Sequence, residues 1–362
     1  MTTARITGAG SAFPPVMEQS QLWSGYFAGH TGPHRRAAER IFTSSGVRRR
    51  HGVVNPVVED VSGWGTQARM RRWITEALPL GQRAVRHALD AAGLDPTDVG
   101  LLAVATCTGY ATPGLDVQLG AALGMAPDVQ RLMIGHMGCY AALPGLGAVS
   151  DYVVARGHPA VLLCLELTSL HLQRDTTELQ QVVTHALFGD AAAAVVLQPG
   201  PGGDTQPGPG GDTQPGPGGG LEVVDVAAVT DAATADHMTW DITDHGFRMG
   251  LSPRVPDVLA KHVGPLVDVL LGRNGLDVGD VRGWAVHPGG PRILDTVAAG
   301  LDLDAEAMAA SRRVLAERGN CSSPTVLLVL DALTPHLAPG APVVALAFGP
   351  GLTLYAALLR LT

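Results

Sequence analysis

Among the 25 basic residues of this 362-residue chain only one, Lys261, is a lysine. That skew, with the abundance of Ala, Gly and Pro, reflects a GC-rich coding sequence and says nothing of function. Basic charge is also outweighed overall. The formal net charge of −8 speaks against the basic face that a nucleic-acid binder carries. Hydrophobic residues make up 46% of the chain, yet no apolar run approaches the roughly 18–20 residues of a membrane span. The four cysteines are Cys107, Cys139, Cys164 and Cys321, and none stands in CxxC or CxxH spacing, so no metal site is expected. As cytosolic thiols they are, by default, small buried hydrophobes. The opening MTTARITGAGSAFPP has no basic region followed by an apolar stretch. No signal peptide is therefore expected, and a cytoplasmic location follows.

What is present is a series of short apolar runs broken by Gly, Pro, His or charge. Strand-like runs lie at 101–106, 160–165, 191–197, 221–229, 282–286, 342–348 and 352–360. Helical patterns lie at 80–93, 140–156, 256–271 and 323–333. This alternation predicts an α/β architecture with mainly parallel sheets. One segment stands apart. From Gln198 the octet QPGPGGDT occurs twice and is followed by QPGPGGG. It has nothing apolar to bury, so it is expected to form a disordered or extended surface loop. Its period of eight is not the period of three that collagen needs. The repeat divides the chain into 1–197, a linking loop 198–220, and 221–362.

Four segments carry chemistry. In IGHMGCYAALPGLGAV (134–149), Pro144 is tolerable in a helix only within the first turn, which places a helix start near Cys139. A cysteine there sits at the positive end of the helix dipole, where a thiolate is favoured; a buried structural cysteine is the alternative. In WAVHPGGPRILD (284–295), a strand delivers His287 to a Gly/Pro turn, a placement suited to a cavity, although a satisfied core histidine fits as well. In ERGNCSSP (317–324), Asn320 is either a turn residue or a donor to a developing oxyanion. In AFGPGLT (347–353), Gly-Pro-Gly makes a rigid turn between two strands.

Taken together and in this order, these segments resemble the chalcone synthase-like, or type III polyketide synthase, family from about residue 5 to 360. The matching motifs are GCYAA, LFGD at 187–190, HPGGPxILD at 287–295, GNxSS at 319–323 and FGPGLT at 348–353. The resemblance implies a thiolase-like layered αβαβα fold of two similar halves, assembled as a homodimer. It implies a catalytic set of Cys139, His287 and Asn320. Cys139, as a thiolate paired with a His287 imidazolium, would take a starter acyl group from CoA. His287 and Asn320 would then stabilise the enolate left when a malonyl-CoA or methylmalonyl-CoA extender loses CO₂. CoA thioesters are substrates here, and no cofactor is required.

The resemblance also assigns a cavity wall. Phe188 matches a gatekeeping phenylalanine that would favour decarboxylation through an apolar surface. A second gatekeeper is missing, and the aligned stretch MGLSPRVP (249–256) places Pro253 or a neighbour there. Cys107, Thr168, His171 and Ser322 are expected on the wall, and Thr112 is expected to reach across a dimer. Arg48, Arg50 and Arg292 are candidates for the phosphates of CoA, with a solvated charge run as the competing reading. Within the family, GCYAALPGL and GFRMGLSPRVP look more like bacterial enzymes making alkylresorcinols or alkylpyrones from fatty acyl starters. They look less like tetrahydroxynaphthalene synthases or plant chalcone synthases. A ketoacyl synthase III with a carrier-bound extender, and a non-catalytic homologue acting as a binding subunit, are the alternatives.

Overall fold

A computed structural model describes residues 2–173, 178–200 and 220–362. The expected loop at 198–220 therefore lies almost wholly outside the described residues. Its first two members, Gln198 and Pro199, instead complete a strand.

The first half of the chain contributes strands β1 (Ala4–Ala12), β2 (Val16–Glu18), β3 (Arg49–His51), β4 (Leu101–Ala105), β5 (Gln130–Ile134), β6 (Ala160–Glu166) and β7 (Ala191–Pro199). The second half contributes β8 (Leu221–Thr230), β9 (Met238–Thr243), β10 (Gly246–Leu251), β11 (Gly283–Val286), β12 (Pro342–Gly349) and β13 (Thr353–Leu361). The helices of the first half are α1 (Gln19–Gly25), α2 (Arg35–Ser44), α3 (Thr66–Ala92), α4 (Leu115–Leu123), α5 (Ala142–Arg156) and α6 (Leu179–Leu187). Those of the second are α7 (Val255–Arg273), α8 (Pro291–Gly300), α9 (Ala309–Arg318) and α10 (Pro324–Leu333). Among the described residues no helix is long and apolar enough to cross a membrane.

Nine strands form one sheet in the order β11-β12-β13-β8-β1-β7-β6-β4-β5. Each half repeats one pattern. Its first strand lies antiparallel to its last, the last lies antiparallel to the one before, and a parallel pair follows. The expectation of mainly parallel sheets is thus corrected, since only β11–β12, β4–β6 and β4–β5 are parallel. The reason is physical: strands buried on both faces lose the polar alternation that marks antiparallel sheets, so they read as parallel.

Alternate residues of each strand feed different layers. In β4, Leu102 and Val104 join α3 in one outer core, while Ala103 and Ala105 face the central helices. In β12, Val344 and Leu346 join α7 in the other outer core, while Ala345 and Ala347 face inward. The central layer of α5 and α10 touches both halves, which gives the αβαβα order. Small inward side chains let it seat closely. An added Cβ at Gly8 or Gly10 of β1 would come within 2.2 and 2.4 Å of carbonyl oxygens of α3, so this strand tolerates no side chain there.

Candidate active site

Cys139 lies in a tight turn, Gly138–Tyr140, that runs into α5. Gly138 adopts φ +70°, and an added Cβ would meet Pro350 of the Gly-Pro-Gly turn at 2.9 Å. Pro144 falls within the first turn of α5, as the sequence requires. Cys139 is buried, and burial pushes its thiol up to about 12; hydrogen bonds with the side chains of Ser322 and Asn320 act the other way.

His287 follows β11, and its backbone N–H donates to the Leu346 carbonyl at 2.8 Å. Its ring meets Phe348 edge-on, with centroids 5.7 Å apart. Neither ring nitrogen has a hydrogen-bond partner among the described residues. Burial pushes the imidazole down to about 3. Burial thus disfavours a lone charge on either Cys139 or His287.

Asn320 accepts the Ser322 N–H at its side-chain oxygen (2.8 Å), an arrangement made possible by Ser322 at φ +58°. With the oxygen engaged, the amide NH₂ is left as the donor. The Asn320 backbone forms an isolated bridge across Phe188. Its N–H donates to the Leu187 carbonyl (2.8 Å), and its carbonyl accepts from Gly189 N–H (2.9 Å).

Cys139, His287, Asn320 and Phe188 line one cavity of about 550 Å³. Two smaller compartments adjoin it. One of about 20 Å³ touches Cys107, Cys139, Thr168, Trp240 and Ser322, and one of about 60 Å³ touches Thr168, His171, Trp240 and Phe247. Phe188 and Met249 border all three spaces. Within 249–256 the residue facing Phe188 is accordingly Met249, while Pro253 is exposed on the rim of the large cavity.

The sequence missed this wall. Met249 and Trp240 lie on the β9–β10 hairpin, which folds back over Phe188. Trp240 is fixed by donating its indole N–H to the Cys107 carbonyl at 2.8 Å. His171 is buried behind it, holding the Thr108 carbonyl at 2.6 Å and accepting from Phe247 N–H at 3.0 Å. Like Cys107, Thr168 and Ser322, it borders the smaller compartments and not the large cavity, and its ring, tied at both nitrogens, is a strut between two loops. Cys107 donates through its backbone and its thiol to Glu166 (3.0 and 3.4 Å). Glu166 is fully buried, and burial raises it above the usual carboxylate range. No sequence signal marked Glu166, which lies inside an apolar strand.

The expected cations separate. Arg292 is exposed on the lining of the large cavity. Arg48 is exposed and paired with Glu317. Arg50 is buried, with Nη1 donating to the carbonyls of His185 and Phe188, and it borders the 60 Å³ compartment rather than the large cavity. Ile41 and Ser44 of α2 line the large cavity, and Arg40 is exposed one turn before Ser44 on the same face. Thr112 is exposed and borders none of these three spaces; its hydroxyl donates to that of Tyr110 at 3.3 Å.

Comparison with known proteins agrees with this geometry. Residues 2–201 match the family profile described as chalcone and stilbene synthases, N-terminal domain, and residues 226–362 match the C-terminal domain of the same family. A 1,3,6,8-tetrahydroxynaphthalene synthase of Streptomyces peucetius subsp. caesius is 38% identical over 91% of this chain and 85% of its own length. An alpha-pyrone synthesis polyketide synthase-like protein of Mycobacterium tuberculosis is 31% identical over 88% of this chain and 81% of its own. Of these two product types the naphthalene-forming relative has the higher identity, so identity does not favour the pyrone branch. Among solved structures, PKS-I from the brown alga Ectocarpus siliculosus superposes with a TM-score of 0.90 at 30% identity, covering 99% of this chain and 98% of that one. The tetrahydroxynaphthalene synthase of Streptomyces coelicolor A3(2), a bacterial type III polyketide synthase, superposes with a TM-score of 0.88 at 27% identity over 98% of this chain and 99% of that one.

Proposed function

This chain belongs to the chalcone and stilbene synthase family and is a type III polyketide synthase, and from that premise we propose that Cys139 carries the growing chain while His287 and Asn320 handle charge. The single observation behind this reading is the convergence of the three groups, with Phe188, on one cavity.

In the proposed cycle the Cys139 sulfur attacks the thioester carbon of a starter acyl-CoA as its proton passes to His287. The carbon–sulfur bond to CoA breaks, CoA thiolate takes a proton, and the acyl group rests on Cys139. A malonyl-CoA extender then loses CO₂. Its enolate oxygen lies against the Asn320 amide and a His287 N–H, donors fixed before the charge develops. The apolar Phe188 wall disfavours the extender carboxylate and so promotes its loss. The enolate carbon attacks the Cys139 thioester carbon, the carbon–sulfur bond to Cys139 breaks, and the freed thiolate leaves the extended chain on the extender's CoA. Cys139 takes that chain back with release of CoA, the cycle repeats, and the chain finally cyclises to a phenolic or pyrone product. The cycle as written involves no net oxidation or reduction, and its proton and charge transfers are assigned to Cys139, His287 and Asn320.

For CoA itself, Arg292 on the lining of the large cavity is the cation for its phosphates, with the exposed Arg40, next to the cavity-lining Ile41, as a second candidate. Substrates of this kind fit a cytoplasmic location. A homodimer is supported by β5, treated below. The test is product analysis with a panel of acyl-CoA starters and malonyl-CoA, without carrier protein. Polyketide is expected from the wild type and none from Cys139→Ala. Product from that variant would refute the nucleophile, and strict dependence on a carrier protein would favour a ketoacyl synthase III-like condensation.

A further inference from the structure

Arg50 stands in β3, 4% exposed; it borders the 60 Å³ compartment and not the large cavity that holds Cys139. Its Nη1 donates to the carbonyls of His185 and Phe188, the latter at 2.8 Å. These belong to the C-terminal end of α6, where helix carbonyls lack partners and the dipole favours a cation. Two residues beyond Phe188 lies the fully buried Asp190, whose carboxyl burial raises above the usual range. Its carboxylate accepts from Val53 N–H (2.9 Å), Thr168 Oγ1 (3.0 Å), Ser169 N–H (2.8 Å) and Ser169 Oγ (2.5 Å).

Phe188 thus hangs between a buried guanidinium and a buried carboxyl group. Its own N–H donates to the Thr184 carbonyl (3.1 Å), and the peptide groups on either side are bridged by Asn320. Next to it, an added Cβ at Gly189 would meet the Arg318 carbonyl at 2.7 Å and the Arg50 Cβ at 3.2 Å, so the segment has no room to slide. A buried guanidinium is costly to retain, and one hydrogen-bonded to the gate's own carbonyl has a use beyond stability.

We infer that Arg50 is a positioning residue, fixing the backbone of Phe188 so that its ring stands at the junction of the three compartments in the pose that couples decarboxylation to condensation. This rests on the reading of Phe188 given above. Both carbonyls are met by the one nitrogen Nη1, which the rigid guanidinium plane holds at a fixed point; a lysine carries its charge on a flexible stem that does not fix it there.

The experiment is a double-mutant cycle on the full-length enzyme with Arg50→Met, Phe188→Ala and the pair. Three quantities are read: kcat for condensation, KM for the starter acyl-CoA, and acetyl-CoA released per product formed. That acetyl-CoA arises when malonyl-CoA loses CO₂ and its enolate takes a proton instead of attacking Cys139. For Arg50→Met, kcat should fall about tenfold or more, starter KM should stay within about twofold, and the acetyl-CoA ratio should rise. Added to Phe188→Ala, the Arg50 change should cost less than about twofold more. A starter KM raised with kcat retained would make Arg50 a phosphate contact and overturn the inference. Losses that simply add, or wild-type values in Arg50→Met, would overturn it too. Wild-type kcat and ratio in Phe188→Ala would sink the gate reading itself, and the inference with it. If Arg50→Met fails to fold, Arg50→Lys, which keeps the charge and one hydrogen bond, is carried through the same cycle with the same thresholds.

Discussion

Cys139 alone is a weak nucleophile, because burial holds its thiol near 12 against the opposing hydrogen bonds of Ser322 and Asn320. In His287→Gln the thiol keeps its burial and loses the one base that can take its proton. Thiolate is the reactive form, so alkylation follows its fraction and rises until the pH passes the thiol pKa. In this variant, Cys139 modification by iodoacetamide should climb about tenfold per pH unit from pH 7 to 10 without levelling, as intact mass would show. The wild type should level off at lower pH. A plateau below pH 9 in the variant would remove His287 from the role of activating base. The three catalytic candidates were legible because each stands beside Gly or Pro that opens the backbone: Gly138, the Pro-Gly-Gly after His287, and Gly319. Arg50 was not. Three arginines in a row read as a charge run, and only the strand's alternation turns Arg49 outward and Arg50 in. Trp240 and Met249 reach the site through a hairpin fold-back that no local pattern announces.

At the level of elements, the long apolar strands and the helices α5, α7 and α10 were readable within a residue or two of their ends. β1 was not, because Gly8 and Gly10 dilute its strand signal while serving its contact with α3. Only the C-terminal part of α3 was legible, since Pro79 inside it reads as a helix breaker. The connection between the halves follows from the register. β7 and β8 lie on opposite sides of β1, with Pro199 opposite Ala4 and Leu221 opposite Ile6. Their ends are therefore separated by two strand spacings, about 10 Å. Replacing 201–219 with about five Gly/Ser residues spans that gap and should leave kcat within about twofold, whereas joining Gly200 directly to Gly220 should prevent folding. A large loss of activity with the short linker, while circular dichroism stays native, would show that the repeat contributes to function.

For the molecule as a whole, the two ends of the nine-stranded sheet differ. β11 is buried, but Leu132 and Met133 of β5 are exposed on an unpaired edge. An open edge of this kind invites a second copy to continue the sheet. The exposed Tyr110 and Thr112 follow the neighbouring strand β4. Sedimentation should give twice the 37.4 kDa chain mass, and Leu132→Glu with Met133→Arg should give monomer. A dimer unchanged by both substitutions would place the contact elsewhere. The bridge between Phe188 and Asn320 has a consequence for how such an enzyme diversifies. One residue comes from the first half and the other from the second, and each fixes the other's backbone. Shifting that wall to admit a new substrate would misplace the oxyanion donor at the same time. Descendants of this fold can therefore acquire new products by exchanging the side chains that project from the opposite hairpin, with the reaction inherited intact.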